Sequence, residues 1–392
     1  MASTLGEEAI GLHRKMRGKI AIAPKFHVLD RKALSLAYTP GVADVCLAIK
    51  ENPELAYELT CKNNFVAVVS DGTRVLGLGD IGPLAAMPVM EGKAMLLKEF
   101  GGVDAVPICL SCTGEDEIVA AVKAIAPSFG AILLEDIESP KCFAVEDRLS
   151  EMLDIPVFHD DQHGTAIVVL AALINAMKIT GRNDKAAVKI VVNGAGAAGV
   201  AIAKLLSAYG FSNLNVCDSK GALCDDREDL EEYKKNVLAN IPGAVCGPMR
   251  GVLNGADVFI GASMPNILKS EDVKTMAPKS IVFALCNPVP EISEEEAKKG
   301  GALVYGSGRS DSSNQINNVL GFPGIFRGLL DCRARKMTYG MKIAAAEAIA
   351  KVAEGNGLSA DKIVPDPFDS ALRDAVAKAV VGAARKEGVA RA

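Results

Sequence analysis

The sequence has no Trp, four His and 5% aromatic residues among its 392 positions. It also lacks any block of Lys and Arg, and its formal net charge is −5. Nucleic acid is therefore excluded as a partner, because phosphate binding needs a basic face. No apolar run reaches the ~20 residues of a membrane span. The longest, Ala166 to Met177, contains Asn175 and is too short. The start, Met1 to Leu5, lacks the basic and apolar regions of an export signal, so a cytoplasmic protein is expected. The ten Cys are scattered, unlike a disulfide scaffold, and read as reduced thiols. Cys109 and Cys112 have CxxC spacing, but no second pair or nearby His completes a zinc site.

What is present is an α/β pattern. The length suggests two domains, each able to bury its own core. Phe65–Ser70 is a short apolar run ending at Asp71-Gly72, a buried strand and a turn. Gly92 to Phe100 reads as helix, Val103 to Leu110 as strand, Glu117 to Ile125 as helix and Ala131 to Leu134 as strand. Such alternation predicts a parallel sheet. A second alternation begins with a long helix from about Gly164 to Ile179. Strands follow at Val188–Asn193, Leu214–Cys217, Val258–Ile260, Ile281–Ala284 and Leu303–Val304. The expected architecture is an N-terminal α/β catalytic domain, 1–160, and a doubly wound Rossmann-type dinucleotide-binding domain, 161–392. Ala-rich helices at Met341–Glu354 and Phe368–Arg385 read as capping the second domain or packing back on the first.

Asn193-Gly-Ala-Gly-Ala-Ala-Gly199 matches GxGxxG after a strand and before a helix. Gly194 allows the tight turn, Gly196 the approach of a pyrophosphate, and Gly199 close packing of helix on strand. Ala197 and Ala198 open the helix whose free N–H groups meet the phosphates. Asp218 ends the next strand, where it can accept the ribose hydroxyls. With Asp225, Asp226, Glu228 and Asp229 behind it, NAD is favoured. Lys220 and Arg227 argue for NADP, so the preference is modest.

Two carboxylate pairs end other strands: Glu135-Asp136, and Asp160-Asp161 between His159 and His163. Four such carboxylates repel one another unless a cation lies among them, and oxygen ligands suit Mg²⁺ or Mn²⁺. A solvated acidic loop is the commoner reading of such spacing. The two His read as supports by hydrogen bonding rather than as ligands.

Together these stretches resemble the malic enzymes of the short bacterial type. The resemblance runs from Ser35 to about Lys351. It is carried by Leu36-Ala-Tyr-Thr-Pro-Gly-Val42, Val75-Leu-Gly-Leu-Gly-Asp-Ile-Gly82, Pro88-Val-Met-Glu-Gly-Lys93, Leu134-Glu-Asp136, Phe158-His-Asp-Asp-Gln-His-Gly-Thr165, Ala284-Leu-Cys-Asn-Pro288, Gly308-Arg-Ser-Asp311, Asn317-Asn318 and Phe322-Pro-Gly324. It implies metal-dependent oxidative decarboxylation of (S)-malate to pyruvate and CO2, with NAD or NADP reduced. It also implies Tyr38 as general acid and Lys93 as general base. Glu135, Asp136 and Asp161 become ligands of Mg²⁺ or Mn²⁺, with Asp160 beside the lysine. Asn287 and Asn318 are placed on substrate or nicotinamide. Arg74 falls near a carboxylate-binding arginine of some members, at a different spacing from the lysine. A homodimer is expected. For Lys93 to act as base its pKa must be lowered, an effect expected of burial and a neighbouring cation. The competing readings are a dehydrogenase without decarboxylation, which needs no metal, and a non-catalytic nucleotide sensor, which needs no Tyr38, Lys93 or acidic pairs.

Overall fold

A computed structural model describes residues 4–112, 114–241 and 244–392. Two parallel sheets organise the chain. The first contains β1 (Phe65–Ser70), β2 (Asp104–Cys109), β3 (Ala131–Leu134) and β4 (Val157–His159), in the order β2-β1-β3-β4. Five of the six β1 residues are buried, and all of β3. A strand covered on both faces needs an unbroken apolar run, and Val66-Ala-Val-Val69 supplies one.

The second sheet contains β5 (Ile190–Asn193), β6 (Leu214–Asp218), β7 (Gly221–Ala222), β8 (Val258–Gly261), β9 (Ser280–Ala284) and β10 (Ala302–Ser307). Its order is β10-β9-β8-β5-β6-β7, parallel except for β7 on β6. The chain leaves β5 to one side for β6 and later returns to the other side for β8. The carboxyl end of β5 is thus a switch point, where open α/β sheets bind ligands.

Between the sheets lies the helix Thr165–Thr180, ended by Gly181 at φ +76°. Twelve of its sixteen residues are buried, so it is apolar on every side. By length and hydropathy the segments Asp160–Thr180 and Arg31–Glu51 could each cross a membrane. Asp160–Thr180 opens with two carboxylates and is mostly buried, so it is a core helix. One continuous core takes in Val66, Leu133 and Phe158 from the first sheet and Ile190, Ile260 and Phe283 from the second.

The helix Gly82–Gly101 starts ten residues before the predicted Gly92. Pro83 sits in its first turn, where a missing N–H costs nothing, and Pro88 is carried inside. At the C-terminus, Phe322–Asp331 packs on this helix and on Leu372–Lys386. Arg391 reaches back to Asp154 at 2.8 Å, which ties the chain end to the first sheet's layer.

The reading of the cysteines is corrected. Cys224 and Cys246 form a disulfide, so the cysteines are not all reduced thiols. The chain folds back beside β7, where Ala222 N–H donates to Gly247 O. Residues 22 apart in sequence therefore meet, a pairing that spacing alone does not reveal.

The N-terminal helices differ from all of this. Leu5–Met16, Arg31–Ala37 and Val42–Glu51 bury no residue. Leu5, Ile22, Phe26, Leu29, Leu36 and Leu47 all stand exposed.

Candidate active site

The acidic cluster is assembled at the carboxyl ends of neighbouring strands β3 and β4. Glu135 and Asp136 follow β3, and Asp160 and Asp161 follow β4. Asp136 is held at φ +54°, a left-handed conformation that costs a non-glycine residue energy. Its N–H donates to Asp161 Oδ2 at 2.9 Å, and its carbonyl accepts from Arg74 N–H at 3.0 Å. Residues 160–164 form a π-helical turn in which Thr165 N–H reaches Asp160 O, a widening often found at functional sites.

Glu135, Asp136 and Asp161 each offer a carboxylate oxygen within 4.8 Å of the others. Glu135 Oε2 and Asp136 Oδ2 are buried without a hydrogen-bond donor. Burial raises the Glu135 and Asp160 carboxyls, and burial together with Asp161 pushes Asp136 up to about 7. Buried oxygens that resist ionising together and find no donor fit a hard divalent cation, which would supply the missing positive charge.

Lys93 lies on the buried stripe of its helix with Ala86, Met90, Ala94 and Leu97. That stripe directs its Nζ to Asp160 Oδ2 at 2.6 Å and Glu135 Oε1 at 2.8 Å, over the Phe322 ring at 4.6 Å. Burial pushes its pKa down, but the two carboxylates outweigh burial and hold it above the ordinary lysine value. The expectation of a lowered value is thus reversed in the chain alone, because Asp160 and Glu135 are closer than sequence spacing could tell. Asn318 donates to Asp160 as well. Lys93, Asp160, Glu135 and Asn318 therefore form one group.

Tyr38 does not join them. It follows the helix Arg31–Ala37, 67% exposed, and among the described residues no hydrogen bond links it to the cluster. Arg74 and Asn287 are both exposed, and the loop carrying Gly77 packs on Asn287-Pro288.

The glycine turn has the backbone geometry expected at Gly194 and Gly199. Gly194 takes φ +125°, and a Cβ there would lie 2.3 Å from Ala262 O. A Cβ on Gly199 would lie 1.7 Å from Gly194 O, so only glycine lets the helix Ala197–Ala208 seat on β5. Gly196 precedes that helix with no side-chain cap, leaving its first N–H groups, including those of Ala197 and Ala198, to a ligand. The π-helical turn packs against this same helix, which brings the acidic and glycine sites together.

Asp218 ends β6 as expected, but its carboxylate already accepts from Arg227 at 2.8 and 3.1 Å and from Lys234 at 3.2 Å. Arg227 also grips Asp229. Sequence reasoning missed Lys234, which comes from the next helix, Glu232–Leu238. It also missed Glu291. This buried carboxylate accepts the N–H groups of Ser263 and Cys286 at 3.0 Å each and fixes the loops after β8 and β9.

Residues 17–117 match the family model for the malic enzyme N-terminal domain, and residues 162–385 that for the malic enzyme NAD binding domain. The chain is 52% identical to the bifunctional malic/malolactic enzyme of Bacillus subtilis, over 99% of this chain and 95% of that protein. It is 56% identical to the NAD-dependent malic enzyme of Geobacillus stearothermophilus, over 95% and 78%. The crystal structure of an NAD-dependent malic enzyme from Thermotoga maritima superposes with a TM-score of 0.92 at 49% identity, covering 95% of this chain and 99% of that one. By these matches, and by the acidic cluster and glycine turn that its fold brings together, the chain belongs to the malic enzyme family.

Proposed function

We propose that the protein oxidises (S)-malate with NAD and decarboxylates the product to pyruvate and CO2, using Mg²⁺ or Mn²⁺ held by Glu135, Asp136 and Asp161. The observation that carries this is the Lys93 group: a buried amine bonded to Asp160 and Glu135 beside carboxylate oxygens without donors. A divalent cation there would polarise the C2 oxygen of malate and offset the carboxylate charge that keeps Lys93 protonated. With that charge offset, a deprotonated Lys93 would accept the C2 hydroxyl proton, and a nicotinamide bound at the glycine turn would supply the hydride acceptor. Asp160 and Asn318 hold the lysine and the substrate oxygens in line. Loss of CO2 from the C4 carboxylate, carried on C3, leaves an enolate that takes the proton back from Lys93 as an enol, and an acid must return a proton to C3.

Tyr38 is the acid in this reading, and it acts in a second copy of the chain. Three N-terminal helices without a buried residue, lined by exposed Leu, Ile and Phe, are a face that another protein covers. A symmetric dimer covers it with the same face of its partner and delivers each Tyr38 to the other site. Domain limits near 160 and 161 fit the sheet division.

Initial rates with malate, each cofactor, and Mn²⁺ present or chelated test the reaction. Full turnover after thorough chelation ends the metal role. Complementation tests the exchange of Tyr38. Lys93→Ala and Tyr38→Phe chains, each inactive alone, are co-expressed. Random pairing gives mixed dimers with one intact site, and about a quarter of wild-type activity returns. If each Tyr38 served its own chain, no activity would return.

A further inference from the structure

Behind the acidic cluster is a buried polar chain that the reaction does not use. Glu146 lies on the buried face of the helix Lys141–Met152 with Cys142, Val145 and Leu149. Its carboxylate accepts from His159 N–H at 3.0 Å, Gln162 Nε2 at 2.9 Å and His163 Nε2 at 3.0 Å. His163 Nδ1 in turn faces Lys342 Nζ at 3.0 Å.

The protons in this chain can be placed. A carboxylate only accepts, so His163 carries its proton on Nε2, which leaves Nδ1 to accept from the ammonium. The order is Lys342 to His163 to Glu146, with each donor meeting one acceptor. Gln162 and His163 belong to the π-helical turn, and His159 immediately precedes it. The turn that carries Asp160 and Asp161 is therefore fixed from behind by three donors on a single carboxylate.

Lys342 is poorly placed for stability alone. It is 7% exposed and lies in the first turns of the helix Tyr339–Gly355, where the helix dipole opposes a cation. Glu146 and Asp147 favour its charge, Lys204 opposes it, and the Tyr339 ring lies 5.0 Å away. A buried cation kept at that cost and bonded to the residue that holds a catalytic turn calls for a role at that turn.

We propose that Lys342 is a positioning residue: through His163 and Glu146 it clamps the turn Asp160–Gly164 and so sets the place of Asp160 and Asp161. The effect on metal rests on the site reading above, whereas the clamp itself does not.

The test uses the full-length protein with Lys342→Met and Lys342→Arg. Hydrogen exchange without metal should quicken in residues 159–165 of Lys342→Met and stay unchanged in β5, β6 and the glycine turn. Mn²⁺ binding, read by electron paramagnetic resonance, should weaken about 10-fold or more. NADH binding should be unaffected, and Lys342→Arg should recover part of the Mn²⁺ affinity. Wild-type exchange at the turn in Lys342→Met overturns the proposal. So does faster exchange spread evenly over the chain, which would make Lys342 a general packing element. Should Lys342→Met not fold, Glu146→Gln keeps the shape and removes the charge, and the same local exchange pattern decides. Wild-type protein that binds no Mn²⁺ refutes the metal reading, while the exchange data still judge the clamp.

Discussion

The two halves of the site solve binding in opposite ways. After β3 and β4 the proposed site is made of side chains: four carboxylates and a lysine, crowded together and all but Asp161 buried. After β5 it is done by backbone, and the side chains are reduced to hydrogen atoms and methyl groups. Charges placed together in a core can stand only with a counter-charge, so the first half should depend sharply on single groups. A cradle of N–H groups tolerates loss of any side chain but not the gain of one.

The largest effects should come from the first half. Asp161→Ala removes a proposed anionic ligand of the metal, and turnover should fall to background while NADH titration is unchanged. Lys93→Ala removes the positioned base, and malate oxidation should fall ~10²–10⁴-fold. If Lys93→Ala oxidises malate at the wild-type rate, the contrast between the halves collapses. The second half should fail by addition: Gly199→Ala puts a methyl against Gly194 O and should cost ~1–3 kcal/mol of stability together with NADH affinity. Thermal melts and NADH titration of the purified variant read both.

How much was legible in the sequence follows from the same contrast. The glycine turn could be read because its chemistry is local: strand, three glycines and helix within ten residues. The strands were legible because parallel strands need short apolar runs, and β1 and β3 coincide with the predicted spans. Lys93 and Tyr38 took their roles only from the family likeness, and the acidic pairs, suggested as a cation site by their place at strand ends, were given as a ligand set by that likeness, since the grouping depends on strand order and not on spacing. Glu146 and Lys342 did leave a signal. Each is a charge on an otherwise apolar helical stripe, Cys142-Val145-Glu146-Leu149 and Met341-Lys342-Ala345-Ile349. The exposure of the N-terminal helices left none, because a helix face packed on a second copy has the same composition as one packed on its own core.

A smaller effect, in stability rather than rate, should appear on acidification. Burial pushes the Glu146 carboxyl up, but His163, Lys342 and His159 outweigh it and hold it at about 2, below the ordinary 4.5. A depressed carboxyl stabilises the fold above its unfolded value, and that contribution is lost as pH falls from 4.5 towards 2. By linkage it amounts to roughly 3 kcal/mol. Melting temperature followed from pH 5 downward should therefore decline less steeply in Glu146→Gln than in wild type. Parallel curves would show that Glu146 is not held low.

The smallest effect should be on cofactor choice, where side chains enter the backbone-built half. Asp218 can take the two ribose hydroxyls, but it shares its carboxylate with Arg227 and Lys234, and Lys220 pairs with Asp229 close by. The three cations are thus matched by Asp218, Asp229 and Glu231, which pairs with Lys234 at 3.3 Å, so an incoming 2′-phosphate meets no unpaired charge among them. NAD, with neutral hydroxyls, leaves those pairs intact, which is why it is expected to be preferred. The balance is narrow, because removing one carboxylate releases two cations at once. Asp218→Ala should lose NAD affinity through the missing acceptor and gain NADP affinity as Arg227 and Lys234 turn to the phosphate. A charge-assisted pair contributes ~1.5–3 kcal/mol, so the NADP-to-NAD ratio of kcat/KM should rise about 10-fold or more. Arg227→Ala should move the ratio the other way, since it leaves Asp218 facing the phosphate with one cation fewer. A wild-type preference for NADP, or a ratio that neither variant shifts, would mean that the ribose lies away from Asp218 and that this end of the site is read by backbone alone.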